Sequence, residues 1–202
     1  MRFLPLLSSL RDPAPWSAFP AVELAWEGAA HAGWPRGPAV HAFHFSPQPW
    51  NDTLVAEALK ATSLALGPDF LVFPVAPLQD RQDTFRFLGT LELLLETLAG
   101  RGVKVALQPS QGQGEALATL MKEVRGEAVG YCWTPALEAE TGHLADRLFT
   151  ARGEAEGQYT ALQRLGYRWN MAVPFEDPAE AQRHLAALEA SHPMVYFPEI
   201  QS

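Results

Sequence analysis

Short apolar runs alternate with segments of helical spacing through the last two thirds of this chain, and this alternation restricts its fold more than any other feature. The run Phe70–Phe73 is continuously apolar, follows a Gly-Pro pair and ends at Pro74, which is typical of a parallel strand buried on both faces. Between Arg81 and Gly100, leucine and phenylalanine recur at helical spacing, and the glycine is expected to end that helix. Strands that alternate with helices favour parallel pairing through right-handed crossovers.

Eight strands and five helices are predicted in this way. The predicted strands are Phe3–Ser8, Ala21–Trp26, Ala39–Phe45, Phe70–Phe73, Val103–Leu107, Ala128–Trp133, Leu148–Ala151 and Met171–Val173. The predicted helices are Asn51–Leu66, Arg81–Gly100, Glu115–Val124, Gln158–Leu165 and Pro178–Ala190. The first fifty residues hold three strands joined by short connections rich in Pro, Gly and Trp, and helices follow from the third strand onward.

Eight such units close naturally into a compact α/β barrel. We therefore predict a (β/α)8 TIM barrel with reduced helices in its N-terminal part, and the alternative is an open doubly wound sheet. The chain has 202 residues, near the lower end of what an eight-fold barrel needs. It shows no internal repeat, linker or low-complexity segment, so residues 1–202 are predicted to form a single domain.

The charge balance restricts the partners. The chain carries 15 Lys and Arg against 23 Asp and Glu, a formal net charge of -8, whereas a protein that neutralises phosphates along nucleic acid needs a basic face. We therefore expect no nucleic-acid partner.

Cys132 is the single cysteine, which rules out an intramolecular disulfide and gives no sign of an oxidising compartment.

The N-terminal run resembles a signal peptide but is too short for one. Pro5 interrupts it, and Arg11, Asp12 and Pro13 follow soon after, so we predict a first strand instead. No apolar stretch approaches the ~20 residues that cross a bilayer. We expect a cytoplasmic protein with no membrane partner.

Motifs that bind common cofactors are missing. The sequence has no phosphate-cradling Gly-x-x-x-x-Gly-Lys run, no His-Glu-x-x-His and no Gly-x-Ser-x-Gly elbow. Gly112 and Gly114 follow a strand and open a helix as in a dinucleotide fingerprint, but Leu117 stands where the third glycine should be. No cofactor is predicted.

In a barrel, chemistry is located at the carboxyl ends of the strands. The polar residues near those ends are Glu23 or Glu27, His44, Gln108, Thr134, Arg152 and Glu176. His41 and His44 are three apart in a strand, so we expect them on opposite faces and not as ligands of one metal. One of them should lie outside, and the other is either a hydrogen-bonded core histidine or a functional one.

One glutamate and three tryptophans each have two possible roles. Glu23 lies inside an apolar strand, so its carboxylate must face a polar lumen or find a partner, because burying it alone is costly. Trp26, Trp133 and Trp169 either stack on a sugar ring or pack in the core.

Between Leu66 and Pro178 the order of features resembles the sugar phosphate isomerase/epimerase family of xylose-isomerase-like TIM barrels. The segments that carry this resemblance, similar to the fourth to eighth strands of the family in turn, are Leu66–Val72, Gly102–Leu107, Val129–Pro135, Asp146–Arg152 and Gly166–Pro178. In the family, the fifth strand ends in a metal-binding glutamate, the sixth in an aspartate followed by a histidine, the seventh in a histidine and the eighth in a glutamate.

This chain departs from the family at each of those ligand positions. Gln108 replaces the fifth-strand glutamate, and Thr134 and Leu137 replace the sixth-strand aspartate and histidine. Arg152 replaces the seventh-strand histidine, and Pro174 replaces the eighth-strand glutamate. A divalent cation needs oxygen or imidazole donors with carboxylates to balance its charge. The resemblance therefore implies a divergent member that has lost the usual metal site.

Three hypotheses follow. The first is a metal-free barrel that binds a small polar or anionic ligand of sugar or sugar-phosphate type with weak or no catalysis; its ligand-binding candidates are Glu23, His44, Gln108, Trp133, Thr134 and Arg152. No catalytic residue is assigned, and any activity would be isomerisation or epimerisation of a carbohydrate.

The second hypothesis is an active metal-dependent isomerase or epimerase with a shifted site built from Glu23, His44 and Glu176. The third is a non-catalytic scaffold whose barrel mouth is closed by side chains. In that case the helix-poor first fifty residues would expose apolar barrel wall and favour a homodimer.

Overall fold

Eight parallel strands pair in sequence order, and the last pairs with the first, so the sheet closes into a barrel. The computed structural model describes residues 1–8, 13–28, 37–64, 66–124, 126–154 and 159–192. The strands are β1 Arg2–Leu7, β2 Ala21–Ala25, β3 Ala39–His44, β4 Phe70–Val75, β5 Lys104–Pro109, β6 Val129–Trp133, β7 Leu148–Arg152 and β8 Asn170–Pro174. The closed (β/α)8 prediction is confirmed, and the open-sheet alternative is wrong.

Six α-helices lie in the described part of the chain. They are α1 Asp52–Ser63, α2 Arg81–Leu98, α3 Gly114–Met121, α4 Thr141–Leu144, α5 Thr160–Arg164 and α6 Pro178–Ser191. The three longest begin where the side chain of Asn51, Asp80 or Asp177 accepts a hydrogen bond from a backbone N–H of the first turn. No helix among the described residues is long and apolar enough to cross a membrane.

Helical structure is sparse in two places. Between β1 and β3, the described residues form no α-helix and have a 3₁₀ turn at Ala14–Trp16, in keeping with the predicted N-terminal reduction. After β6, 3₁₀ turns at Pro135–Glu140 and Ala145–Arg147 flank the four-residue helix α4. A helix was expected after every strand from the third onward. After β6, short helical turns take the place of that helix.

The core has two layers. Side chains such as Leu71, Phe73 and Leu107 point outward from the strands into the main apolar cluster, where each buried side chain contributes roughly 1.5–3 kcal/mol. The alternate residues of β3 to β6 form a second, smaller cluster inside the barrel. Its members are Ala42, Val72, Ala106 and Cys132, with the partly buried Phe70 and Phe149 packed against them. The lumen is thus packed with side chains, as in other barrels of this kind.

Candidate functional site

An irregularity in β3 brings two histidines to one carboxylate. Val22 of β2 lies opposite Val40, but Glu23 lies opposite Ala42, so the β2–β3 register shifts by one residue at His41. Such a bulge interrupts the alternation of faces along a strand. The Nε2 atoms of His41 and His44 lie 3.9 Å and 2.5 Å from the two carboxylate oxygens of Glu23. The prediction that the two histidines lie on opposite faces is therefore wrong.

Glu23 has no solvent-exposed surface, and His44 is its principal partner. The distance of 2.5 Å joins His44 Nε2 to Glu23 Oε2, and the exposed fractions of the two residues are 0% and 6%. Glu23 Oε1 and His44 Nδ1 are buried without a hydrogen-bond partner. This pairing meets the requirement that a carboxylate inside an apolar strand must find a partner.

His41 lies between Glu23 and the amino end of the barrel. Its Nδ1 lies 2.8 Å from Asp69 Oδ2, and its Nε2 lies 2.9 Å from the side-chain amide nitrogen of Asn170. An amide nitrogen can only donate, so Nε2 accepts and the Nδ1–H donates to Asp69. One neutral tautomer of His41 therefore satisfies both contacts. Sequence reasoning missed Asp69 and Asn170 because their link to His41 depends on the bulge.

At the opposite end of the barrel, a cavity of about 410 Å³ lies over the carboxyl ends of four strands; we call it the carboxyl-end cavity. Gln108 of β5, Thr134 after β6, Arg152 of β7 and Pro174 of β8 line it. The first two are half-buried and the last two are exposed. Three of the ligand-binding candidates are therefore neighbours in space, as the carboxyl ends of parallel strands require.

A tyrosine clamp holds the segment after β7 in place. The Tyr159 hydroxyl accepts a hydrogen bond from the Glu154 backbone N–H at 2.7 Å and donates to the Glu154 carbonyl. Burial raises the pKa of Tyr159, so the phenol keeps the proton that it donates. Gly153 lies against the same ring: a Cβ there would be 2.5 Å from the Tyr159 oxygen and 2.7 Å from Met171 Sδ. This segment supplies Gly153 and Glu154 to the wall of the carboxyl-end cavity.

The other three candidates do not reach this cavity. Trp133 is fully buried, its indole N–H donates to Thr141 Oγ1 at 2.9 Å, and its ring meets Tyr159 edge-on. A ligand role for Trp133 does not fit this position, because the indole packs outside the barrel lumen. Glu23 and His44 are buried and are not among the residues that line the carboxyl-end cavity.

Cys132 and Tyr167 share the interior with Glu23. Burial raises the pKa of the Cys132 thiol far above its ordinary value, and the Glu23 charge raises it further. Burial and then the Glu23 charge also raise the pKa of Tyr167, whose hydroxyl donates to the Asn170 carbonyl at 2.6 Å. Both groups stay protonated near neutral pH, so neither is an activated nucleophile.

The residues of the carboxyl-end cavity do not fit a divalent metal. An amide, a hydroxyl and a guanidinium converge there, and the carboxylate of the lining belongs to Glu154. A dication needs several anionic or imidazole donors, and the guanidinium would repel it. The described residues contain no group of three or more His, Cys, Asp and Glu arranged to hold a metal ion. Glu23, His44 and Glu176, the set of the second hypothesis, therefore do not form such a group.

The fold is a closed (β/α)8 barrel, and several solved structures share it. A xylose isomerase domain protein from Planctomyces limnophilus is 13% identical over 94% of both chains, with a TM-score of 0.69. A D-tagatose 3-epimerase-like protein is 16% identical over 94% of this chain and 96% of its own, with a TM-score of 0.70. A sugar phosphate isomerase/epimerase from Parabacteroides distasonis ATCC 8503 is 10% identical over 96% of both chains, with a TM-score of 0.68.

These comparisons confirm the resemblance at the level of the fold. No protein-family model matches the sequence, and no curated protein matches it either. At identities of 10% to 16%, this chain and the three solved structures share an architecture. A barrel of this architecture hosts many different activities. What the protein binds must therefore be argued from its own side chains.

Proposed function

We propose that this protein binds a small polyhydroxylated anion of the sugar-phosphate type in the carboxyl-end cavity and that this binding needs no divalent metal. The observation that carries the proposal is the convergence of Gln108, Thr134 and Arg152 from three strand ends on one cavity of about 410 Å³. This volume lies within the roughly 300–1,000 Å³ of small-molecule sites.

The three side chains complement the parts of such a ligand. The Arg152 guanidinium offers planar, charged donors that suit a phosphate or carboxylate, and it lies near the ends of β7 and β8, where barrels often bind anions. The Gln108 amide and the Thr134 hydroxyl each donate and accept, which suits the hydroxyl groups of a sugar. The solved structures of similar fold include proteins named as sugar isomerases and epimerases, which supports the same ligand class.

We propose binding with little turnover. Isomerisation or epimerisation needs a base and a group that stabilises the developing negative charge. In the lining of the carboxyl-end cavity, Glu154 is the carboxylate and Arg152 is the cation. Any residual reaction would have to use this pair.

Calorimetric titration with ribose 5-phosphate tests the proposal, with free ribose as the uncharged counterpart. Arg152→Ala should weaken binding of the phosphorylated sugar by about tenfold or more, since a hydrogen bond to a charged group contributes roughly 1.5–3 kcal/mol. Arg183→Ala, on the exposed surface of α6, is the matched control and should leave the Kd unchanged. The proposal fails if no sugar phosphate binds, or if Arg152→Ala binds as the parent protein does.

A further inference from the structure

A larger cavity, of about 590 Å³, lies at the amino end of the barrel, and we call it the amino-end cavity. It is lined by residues at the starts of β3, β4, β5, β7 and β8, among them Lys104 and Asn170. Its volume lies within the range of small-molecule sites, which is roughly 300–1,000 Å³. Amino ends of barrel strands ordinarily serve stability, so a cavity of this size there has no role in the proposed function.

Two polar side chains of this cavity form hydrogen bonds with His41 that orient them. Asp69 Oδ2 accepts from one ring nitrogen, and the Asn170 amide donates to the other. The Asp69 Oδ1 and Asn170 Oδ1 atoms make no hydrogen bond with the described residues, so both keep acceptor capacity. Polar groups that neighbours already orient lose little freedom when a ligand binds.

The charges of the lining balance. Lys104 and Arg147 line the cavity together with Asp69 and Asp146. The Arg147 guanidinium is engaged with the carbonyls of Met121 and Val124. The Lys104 ammonium lies 5.1 Å from the centre of the Phe149 ring and forms no salt bridge with a described residue, so its N–H donors can reach a ligand. An anion would meet two carboxylates, and a cation would meet two basic groups, so this lining suits a neutral molecule.

An exposed aromatic side chain completes the cavity. Trp169 is 65% exposed, in contrast to the half-buried Trp26 and the fully buried Trp133. The partly buried Phe70 also lines the cavity and packs edge-on against His41. A large exposed indole at the edge of a polar cavity offers a flat apolar face to the C–H face of a ring.

From these observations we infer that the amino-end cavity is a second ligand site, specific for a neutral polyhydroxylated ring such as an uncharged sugar. The ring lies on Trp169, Lys104 donates to its hydroxyl groups, and Asp69 and Asn170 accept from them. This inference does not rest on the function proposed for the carboxyl-end cavity, which takes an anion through Arg152.

Saturation-transfer NMR with a set of neutral monosaccharides and inositols tests the inference, using the parent protein and four variants. Trp169→Ala should weaken binding of a neutral sugar by about three- to tenfold through the lost stacking surface, and Asp69→Asn should weaken it as well. Phe85→Ala removes an aromatic side chain of similar exposure (73%) from α2 and is the control for surface aromatics. Arg152→Ala should leave neutral-sugar binding intact.

Three outcomes would overturn the inference. One is that no neutral sugar binds the parent protein while circular dichroism shows it folded. Another is that Trp169→Ala and Asp69→Asn bind as the parent does, and a third is that Arg152→Ala abolishes binding, which would place the neutral sugar in the carboxyl-end cavity. The ¹⁵N signals of His41 give an independent readout, because a ligand at Asp69 and Asn170 should shift them.

Discussion

Glu23 is the residue whose burial most constrains the barrel interior. Its carboxylate has no exposed surface and depends on His44 for its hydrogen bond, with His41 3.9 Å away. A buried charge is tolerated when it is paired, and removing one partner leaves an uncompensated charge. Both histidines could be named from the sequence, but their common direction could not, because a one-residue shift between two strands has no signal in the pattern of β3.

His44→Ala should therefore lower the free energy of unfolding by about 3 kcal/mol or more, since it leaves the Glu23 carboxylate buried without a hydrogen bond. Urea unfolding at neutral pH measures this. His184→Ala removes a histidine that is 41% exposed on α6 and should change the free energy by less than about 0.5 kcal/mol. Adding Glu23→Gln to His44→Ala should recover part of the loss because no charge is then buried. A His44→Ala protein as stable as the parent would contradict this account.

Side-chain direction also decides the role of Trp133. The sequence placed it at the end of β6, next to Thr134, and either stacking on a ligand or packing in the core was open. The structure has the indole outside the lumen, hydrogen-bonded to Thr141 of α4, while Thr134 lines the carboxyl-end cavity. Adjacent residues of a strand point to opposite faces, so only one of the two could line the cavity.

At the scale of elements, the eight strands were predictable to within about two residues because apolar runs bounded by Gly and Pro mark buried parallel strands. Helix ends were predictable where a side chain or a glycine fixes them: Asp177 caps α6, and Gly100, with φ of 77°, follows α2. The segment between β6 and β7 forms 3₁₀ turns on either side of the four-residue helix α4 instead of one longer helix. The start predicted for the helix observed as α5, at Gln158, lies outside the described residues.

The junction after β7 should tolerate no side chain at position 153. Gly153→Ala places a methyl group against Tyr159 and Met171, so the clamp on Glu154 must move, at a cost of about 1–3 kcal/mol in the free energy of unfolding. Thermal and urea unfolding measure the change. Gly89→Ala, in the middle of α2 with open space at its Cβ, is the control and should be neutral or stabilising by up to about 1 kcal/mol. Equal stability of the two variants would contradict the packing described here.

At the scale of the whole molecule, the closed barrel and the carboxyl-end position of a cavity followed from the alternation of elements, whereas the amino-end cavity did not. Its lining comes from the starts of five strands, which the closure of the sheet brings together.

The large exposed apolar side chains of the described residues are Phe85, Leu93, Leu165 and Trp169. None of them lies in the first fifty residues, where an exposed apolar wall was expected, and the homodimer stays a prediction.

The most direct test of the central claim is the affinity for ribose 5-phosphate measured before and after exhaustive chelation. Arginine, amide and hydroxyl groups should hold the anion by themselves, so the Kd should agree within about twofold in EDTA and in added Mn²⁺. Binding that disappears on chelation and returns with Mn²⁺ would contradict the account, because it would show that a metal ion supplies the interaction assigned to Arg152.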